Sequence, residues 1–342
     1  IAFNGKNYFE NIKTDKTVEL KKPEVKKEVK KPEIKKEVKK PEIKKEVKKL
    51  EIKKEVKKPE FKKETKPKLE SKKKKDVNEV ILPNLNLKTE TVLNLFKDVE
   101  YDLGKVRSQK LVKPIYFTQF PRDLDALQST KLKKETFIKI VLPLIVAENE
   151  KILADRKKLT IVSDKKYTTD LEKQWIRQKL LEYKVKKGDL NELLIRMDVI
   201  PTSIALAQAA KESGWGTSRF ALEGNAIFGQ WTWSGQGIAP LDRESNKNHK
   251  ILKFPILRAS VKAYQNNLNT HKSYIKFREK RVKLRQKNKI INGLELTKTL
   301  DNYAETGSEY TKILSQIILQ NRLMDFETVR LTSSSKKKEL NL

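Results

Sequence analysis

Near the start of this chain a proline returns every nine residues, at Pro23, Pro32, Pro41 and Pro59, with Leu50 in the one exception. The five tandem units are KKPEVKKEV, KKPEIKKEV, KKPEIKKEV, KKLEIKKEV and KKPEFKKET, and they span residues 21–65. Proline lacks the backbone N–H that a helix interior needs, so a proline in nearly every unit interrupts any helix. The first four units have apolar residues at their fifth and ninth positions, spaced four and then five apart, which matches neither the helical nor the strand period. Such a segment buries too little surface to offset its ordering entropy. It predicts a charged, semi-extended tether that reaches roughly 140 Å at most, at ~3.1 Å per residue.

The tether confines the folded part to the rest of the chain. Residues 1–75 hold 29 Lys and 14 Asp/Glu, net +15 of the total +32. The remaining 267 residues are enough for one substantial core. The basic balance attracts polyanions, although Lys outnumbers Arg so strongly (13 Arg among 77 basic residues) that a plain compositional bias explains it as well. Glu within every repeat, and no aromatic–basic motif beside the Lys, argue against nucleic acid as the partner. There is no Cys, so disulfides and Cys-ligated zinc are excluded. No stretch reaches the ~20 apolar residues of a membrane span. The chain opens on Ile1 rather than Met, which leaves open an export signal ahead of it.

Residues 76–132 read as a transitional segment of short apolar groups between turn residues. From Lys133 the pattern is helical: 137–159 with Pro143 inside, 170–186, 191–201, then a small-residue helix that starts after Pro201. Turn-rich residues 225–254 predict a small irregular β-lobe with IFGQWTW and HKILKF as strands. Helices follow at 256–277, 295–304 and 308–322, and 329–342 reads as a disordered tail. The expected fold is mainly α, a helical domain over about 133–328 with that β-lobe.

The helix after Pro201 stops on an acid, in AQAAKESGWG: Glu212, then Ser213, Gly214, Trp215 and Gly216. A general acid near neutral pH needs a raised pKa. The negative end of a helix dipole disfavours a carboxylate, and Trp215 offers an apolar wall that limits hydration. Gly214 and Gly216 allow close approach of backbone and sugar. A solvated helix-terminal Glu, with Gly214 as an ordinary stop, explains the same residues. Trp231 and Trp233 alternate, so a strand puts them on one face, either cleft or core; with Trp215 they are candidate sugar platforms, and Asn225 and Gln230 are candidate partners for acetamido groups. Phe228 reads as core. His249 and His271 are too isolated for a metal site. No phosphate-binding glycine loop or nucleophile elbow is present, and no cofactor is expected.

Four segments occur in one order: ENEKILADRKKL, LLIRMDVIPTSIALAQAAKESGWGTSRFALEGNAIFGQW, SVKAYQNNLNTHKSYIKFR and LDNYAETGSEYTKILSQIILQNRL. Over about 134–325 they resemble bacterial Bax-type proteins of the glucosaminidase domain family, which have a lysozyme-like fold. The resemblance implies hydrolysis of the β-1,4 bond at N-acetylglucosamine in peptidoglycan, with Glu212 as the catalytic acid. It also implies peptidoglycan glycan strands as partners and an exported location, in the periplasm or cell envelope, where the tether would meet anionic envelope polymers or a membrane surface. Relatives often carry Cys after the FGQW-like motif, whereas TWSGQG here has none. The second catalytic group stays open between Asp242 or Glu244 as base and assistance from the substrate's own acetamido group oriented by Tyr303, in the segment YAETGSEY; Glu223 reads as a solvated turn. A non-catalytic peptidoglycan-binding or scaffold protein that keeps the cleft is the alternative.

Overall fold

A computed structural model describes residues 87–342 except 233–236, 240–249, 288–289, 333–339 and 342. The nine-residue repeats therefore lie outside the described residues, as do Trp233, Asp242, Glu244 and His249.

Two short helices open the described chain, α1 (Thr89–Asp98) and α2 (Leu103–Gln109), followed by strands β1 (Leu111–Val112) and β2 (Ile115–Tyr116). The long helix α3 (Thr130–Ser163) runs unbroken through Pro143. Then come α4 (Asp170–Glu182), α5 (Leu190–Arg196), α6 (Thr202–Ser213) and α7 (Arg219–Gly224). Strands β3 (Trp231–Thr232), β4 (Gly237–Ile238) and β5 (Lys250–Leu252) form an antiparallel sheet in the order β3-β5-β4. Helices α8 (Leu257–Thr270), α9 (Ile275–Gln286), α10 (Gly293–Thr297) and α11 (Ser308–Gln320) close the helical body, and β6 (Arg330–Leu331) and β7 (Leu340–Asn341) end it. No described helix is long and apolar enough to cross a membrane. The architecture is mainly helical and lysozyme-like, with one three-stranded sheet and two short strand pairs among the described residues.

The core lies between α3, α6, α8 and α11. Ile140, Leu142, Ile204, Ala205, Val261, Leu268, Leu314 and Ile318 belong to one cluster of buried side chains. Alanines at 205, 207, 209 and 210 keep α6 thin, and ten of its twelve residues are buried. A helix buried on nearly every side is held by packing more than by propensity.

Residues left unassigned by the sequence belong to that same core. Val92, Phe96, Phe117 and Phe120 are buried in it, so the ordered fold begins well before 133. Its other end also needs correction, since residues 329–342 are not wholly a tail. Arg330–Leu331 pairs in parallel with Leu111–Val112, and Leu340–Asn341 with Ile115–Tyr116.

The entry to α6 is fixed by a buried ionic centre. Asp198 is 2 % exposed and takes two 2.5 Å bonds from Arg285, with Arg281 at 3.7 Å and Arg156 at 3.8 Å. Its carbonyl accepts from Asn269. Three elements, α3, α8 and α9, are thereby tied to the loop that precedes α6.

Candidate active site

Helix α6 ends in a turn with three successive positive φ values: Gly214 at 57°, Trp215 at 59° and Gly216 at 83°. Ser213 secures the turn, since its hydroxyl donates to the Ala209 carbonyl and accepts from Gly216 N–H. At Gly216 a Cβ would lie 3.0–3.1 Å from the rings of Phe120 and Phe137, so this glycine seats the turn on the core. The close approach that Gly216 allows is therefore to two core rings. Trp215 is half-buried on the same side. Its ring meets Phe137 edge-on at 5.5 Å, and the Lys134 ammonium lies over it at 4.9 Å.

Glu212 lies one turn beyond Gln208 on the same face of α6. Tyr310 on α11 donates its hydroxyl to Glu212 Oε1 at 2.9 Å. Gln208 donates from Nε2 to that same hydroxyl at 3.0 Å and accepts from the Tyr264 hydroxyl at Oε1, at 2.6 Å. Gln208, Tyr264 and Tyr310 are all buried. The Gln208 amide thus fixes the sense of the chain. Tyr310 receives one proton and points its own at Oε1, which leaves Oε2 as the oxygen free to carry a proton.

Burial pushes the Glu212 carboxyl above its ordinary range, while the Tyr310 hydrogen bond and the Lys211 charge partly oppose this. Burial also raises the Tyr310, Tyr264 and Tyr303 hydroxyls, so all three stay protonated and serve as fixed dipoles. Oε2 faces Gly229, where φ is 59° and a Cβ would stand 3.3 Å from that oxygen. Glycine keeps this approach open.

Tyr303 lies in a 3-10 turn (Asp301–Tyr303), and its hydroxyl donates to the Phe228 carbonyl at 2.9 Å. Its ring stacks on Tyr310 at 5.5 Å and 8°. It therefore braces the 227–229 turn and the Tyr310 ring together. Phe228 is core, stacked on Tyr264 at 3.8 Å. Asn225 ends α7 in a left-handed conformation, and its amide donates to the carbonyls of Phe254 and Pro255. Gln230 precedes β3, and its buried Oε1 has no hydrogen-bond partner among the described residues. Trp231 is 53 % exposed on β3. Glu223 is exposed and pairs with Arg219 at 3.7 Å. His271 caps a 3-10 turn by accepting from Ser273 N–H. Among the described residues no group of His, Cys, Asp and Glu could hold a metal ion.

Three members of the Glu212 hydrogen-bond chain escaped the sequence reading: Gln208, Tyr264 and Tyr310. Two of them left a trace. Gln208 stands four residues before the acid, and Tyr310 is the second tyrosine of YAETGSEY.

Residues 187–323 match the family model described as mannosyl-glycoprotein endo-beta-N-acetylglucosaminidase. The chain is also 32% identical over 206 residues to Protein bax of Escherichia coli (strain K12), which covers 58% of this chain and 74% of that protein. The chain belongs to the Bax-type glucosaminidase domain family. The family-model match contains α6, the β-lobe and α11, so the Glu212 chain lies inside it. No solved structure matches. Family membership makes this a glycosidase-type domain.

Proposed function

We propose that this glucosaminidase domain hydrolyses the β-1,4 bond at N-acetylglucosamine in peptidoglycan, with Glu212 as general acid. The observation that carries the reading is the one-sided hydrogen bonding of Glu212. Tyr310 occupies Oε1, and burial favours the protonated carboxyl, which leaves Oε2, on the side of Gly229, as the oxygen open to a proton.

The cycle runs as follows. A glycan strand enters past Gly229, and Oε2 gives its proton to the departing glycosidic oxygen as the C–O bond breaks. The anomeric carbon becomes electron-poor, and the new Glu212 carboxylate is stabilised by the Tyr310 hydroxyl across a fixed distance. Water adds to the anomeric carbon and its proton returns to the site, which restores the acid. Gln230 and Trp231, where the chain enters β3, are the candidates for an acetamido contact and for the C–H side of a sugar ring. Tyr303 acts through Tyr310 as a positioning residue. The Lys-rich repeats would hold the domain on anionic envelope polymers outside the cell membrane.

Mass spectrometry of purified peptidoglycan digested with the full chain tests this. Fragments with N-acetylglucosamine at the reducing end are the expected products. Intact strands that bind the chain without being cut would favour a non-catalytic wall-binding protein.

A further inference from the structure

The hairpin formed by the end of α3 and the start of α4 carries an exposed apolar tip that the site does not use. Ile161 is 52 % exposed, Tyr167 80 % and Leu171 78 %. Ile161 and Leu171 flank the short connection between α3 and α4 and Tyr167 lies within it, whereas Leu159 and Val162 are buried. Trp175, Ile176 and Leu180 turn inward to a small cluster with Ile152, Leu159, Tyr183, Leu193 and Met197 that is separate from the main core. The outward face is therefore left after the inward one has been satisfied.

The tip is held in shape. Thr169 and Glu172 form a reciprocal capping box at the start of α4, and Glu172 is also paired with Lys165. The Lys158 ammonium lies over the Trp175 ring at 4.4 Å. Residues 157–177 carry six cations (Lys157, Lys158, Lys165, Lys166, Lys173, Arg177) against three carboxylates (Asp164, Asp170, Glu172). Asp170 pairs with Lys173 and Glu172 with Lys165, so four of the cations (Lys157, Lys158, Lys166 and Arg177) stand outside these pairs against Asp164.

Apolar residues at a tip with a collar of Lys and Arg fit an interface that is oily within and negative at its surface. We propose that the α3–α4 tip docks on an anionic lipid surface, with Ile161, Tyr167 and Leu171 entering the headgroup region and the cations contacting lipid phosphates. Snorkelling lets long Lys stems accompany the apolar side chains while their charges stay at the phosphates. An acidic protein would answer the charge but not the three exposed apolar groups.

The chain has no cysteine, so Leu171→Cys gives a single attachment point for a polarity-sensitive fluorophore. The full chain is mixed with vesicles of equal parts phosphatidylglycerol and phosphatidylcholine, and Gln320→Cys on α11 serves as the control. The expected result is a blue shift and a gain of emission at position 171 with no change at position 320. The unlabelled variant with Tyr167→Ser and Leu171→Ser should partition to these vesicles at high salt about tenfold less than the parent. Vesicle association with an unchanged probe at 171 would assign the binding to the Lys-rich repeats and overturn the proposal. A probe response that grows with protein concentration in the absence of vesicles would make the tip a contact between copies and overturn it equally, as would equal responses at 171 and 320 or no association at all.

Discussion

The Tyr310 hydroxyl donates to Glu212 Oε1 at 2.9 Å, and its own acceptor side is filled by Gln208 Nε2 at 3.0 Å. Two helices distant in sequence thus leave Oε2 as the oxygen open to a proton. A hydrogen bond donated to a carboxylate favours its charged form, so Tyr310 works against the burial that raises Glu212.

Tyr310→Phe removes that donor, and with it the acceptor of Gln208 Nε2, while keeping the ring. The Glu212 pKa should then rise further, because the charged form loses its partner while burial remains. A general acid acts only while protonated, so activity falls as pH rises through its pKa. The alkaline limb of the pH–kcat/KM profile should shift to higher pH in Tyr310→Phe. The maximal rate should drop by about 10–100-fold, the loss of one charge-assisted hydrogen bond to the carboxylate formed in the reaction. An unshifted limb would separate Tyr310 from the titrating group.

Gly229→Ala places a methyl group 3.3 Å from Glu212 Oε2 at a residue with φ of 59°. The left-handed conformation costs a non-glycine residue about 1 kcal/mol. The methyl group also narrows the space in which Oε2 must meet a glycosidic oxygen. Hydrolysis should fall by at least about tenfold while the melting temperature moves only a few degrees. Calorimetry beside a turnover assay reads both, and a variant with full turnover would show that substrate does not approach along Gly229.

At the opposite end of α6, Glu327 accepts from Thr202 N–H at 3.0 Å, from Gly293 N–H at 3.1 Å and from the Ser203 hydroxyl. Burial pushes it up to about 7, more than these donors hold it down. A carboxyl with a raised pKa in the folded state stabilises most below its unfolded value of 4.5, and this stability is lost as pH rises through 7. Denaturant unfolding between pH 4.5 and 8 should show a loss of roughly 3 kcal/mol from this group. In Glu327→Gln that slope should vanish and overall stability should fall, because an amide N–H₂ must face at least one donor. A slope unchanged in Glu327→Gln would assign the titration elsewhere.

The sequence was most legible where local pattern and site coincide. Pro201 before α6, Gly214 after it and the alanines within it announce a thin, buried helix that ends on an acid, and the structure has that helix at Thr202–Ser213. Short apolar groups between 87 and 132 were not legible, because elements such as β1 and β2 are two residues long and carry no period. Their contribution, Phe117 and Phe120 in the core, depends on α3 and the Gly216 turn being present. The same holds for Tyr264 and Tyr310. Each is one more buried aromatic on an amphipathic helix until α6 is packed between α8 and α11. Tyr303 drew attention first because it opens YAETGSEY, yet its hydroxyl is committed to the Phe228 carbonyl and the tyrosine seven residues later holds the acid.

The central claim is that the proton leaves from Glu212, and Glu212→Gln tests it most directly. The amide keeps the size of the side chain and a hydrogen bond with Tyr310, so the melting temperature should stay close to that of the parent. Release of reducing ends from purified peptidoglycan should fall by at least about a thousandfold, the scale on which general acid catalysis acts. Undiminished release by a folded Glu212→Gln chain would contradict the account.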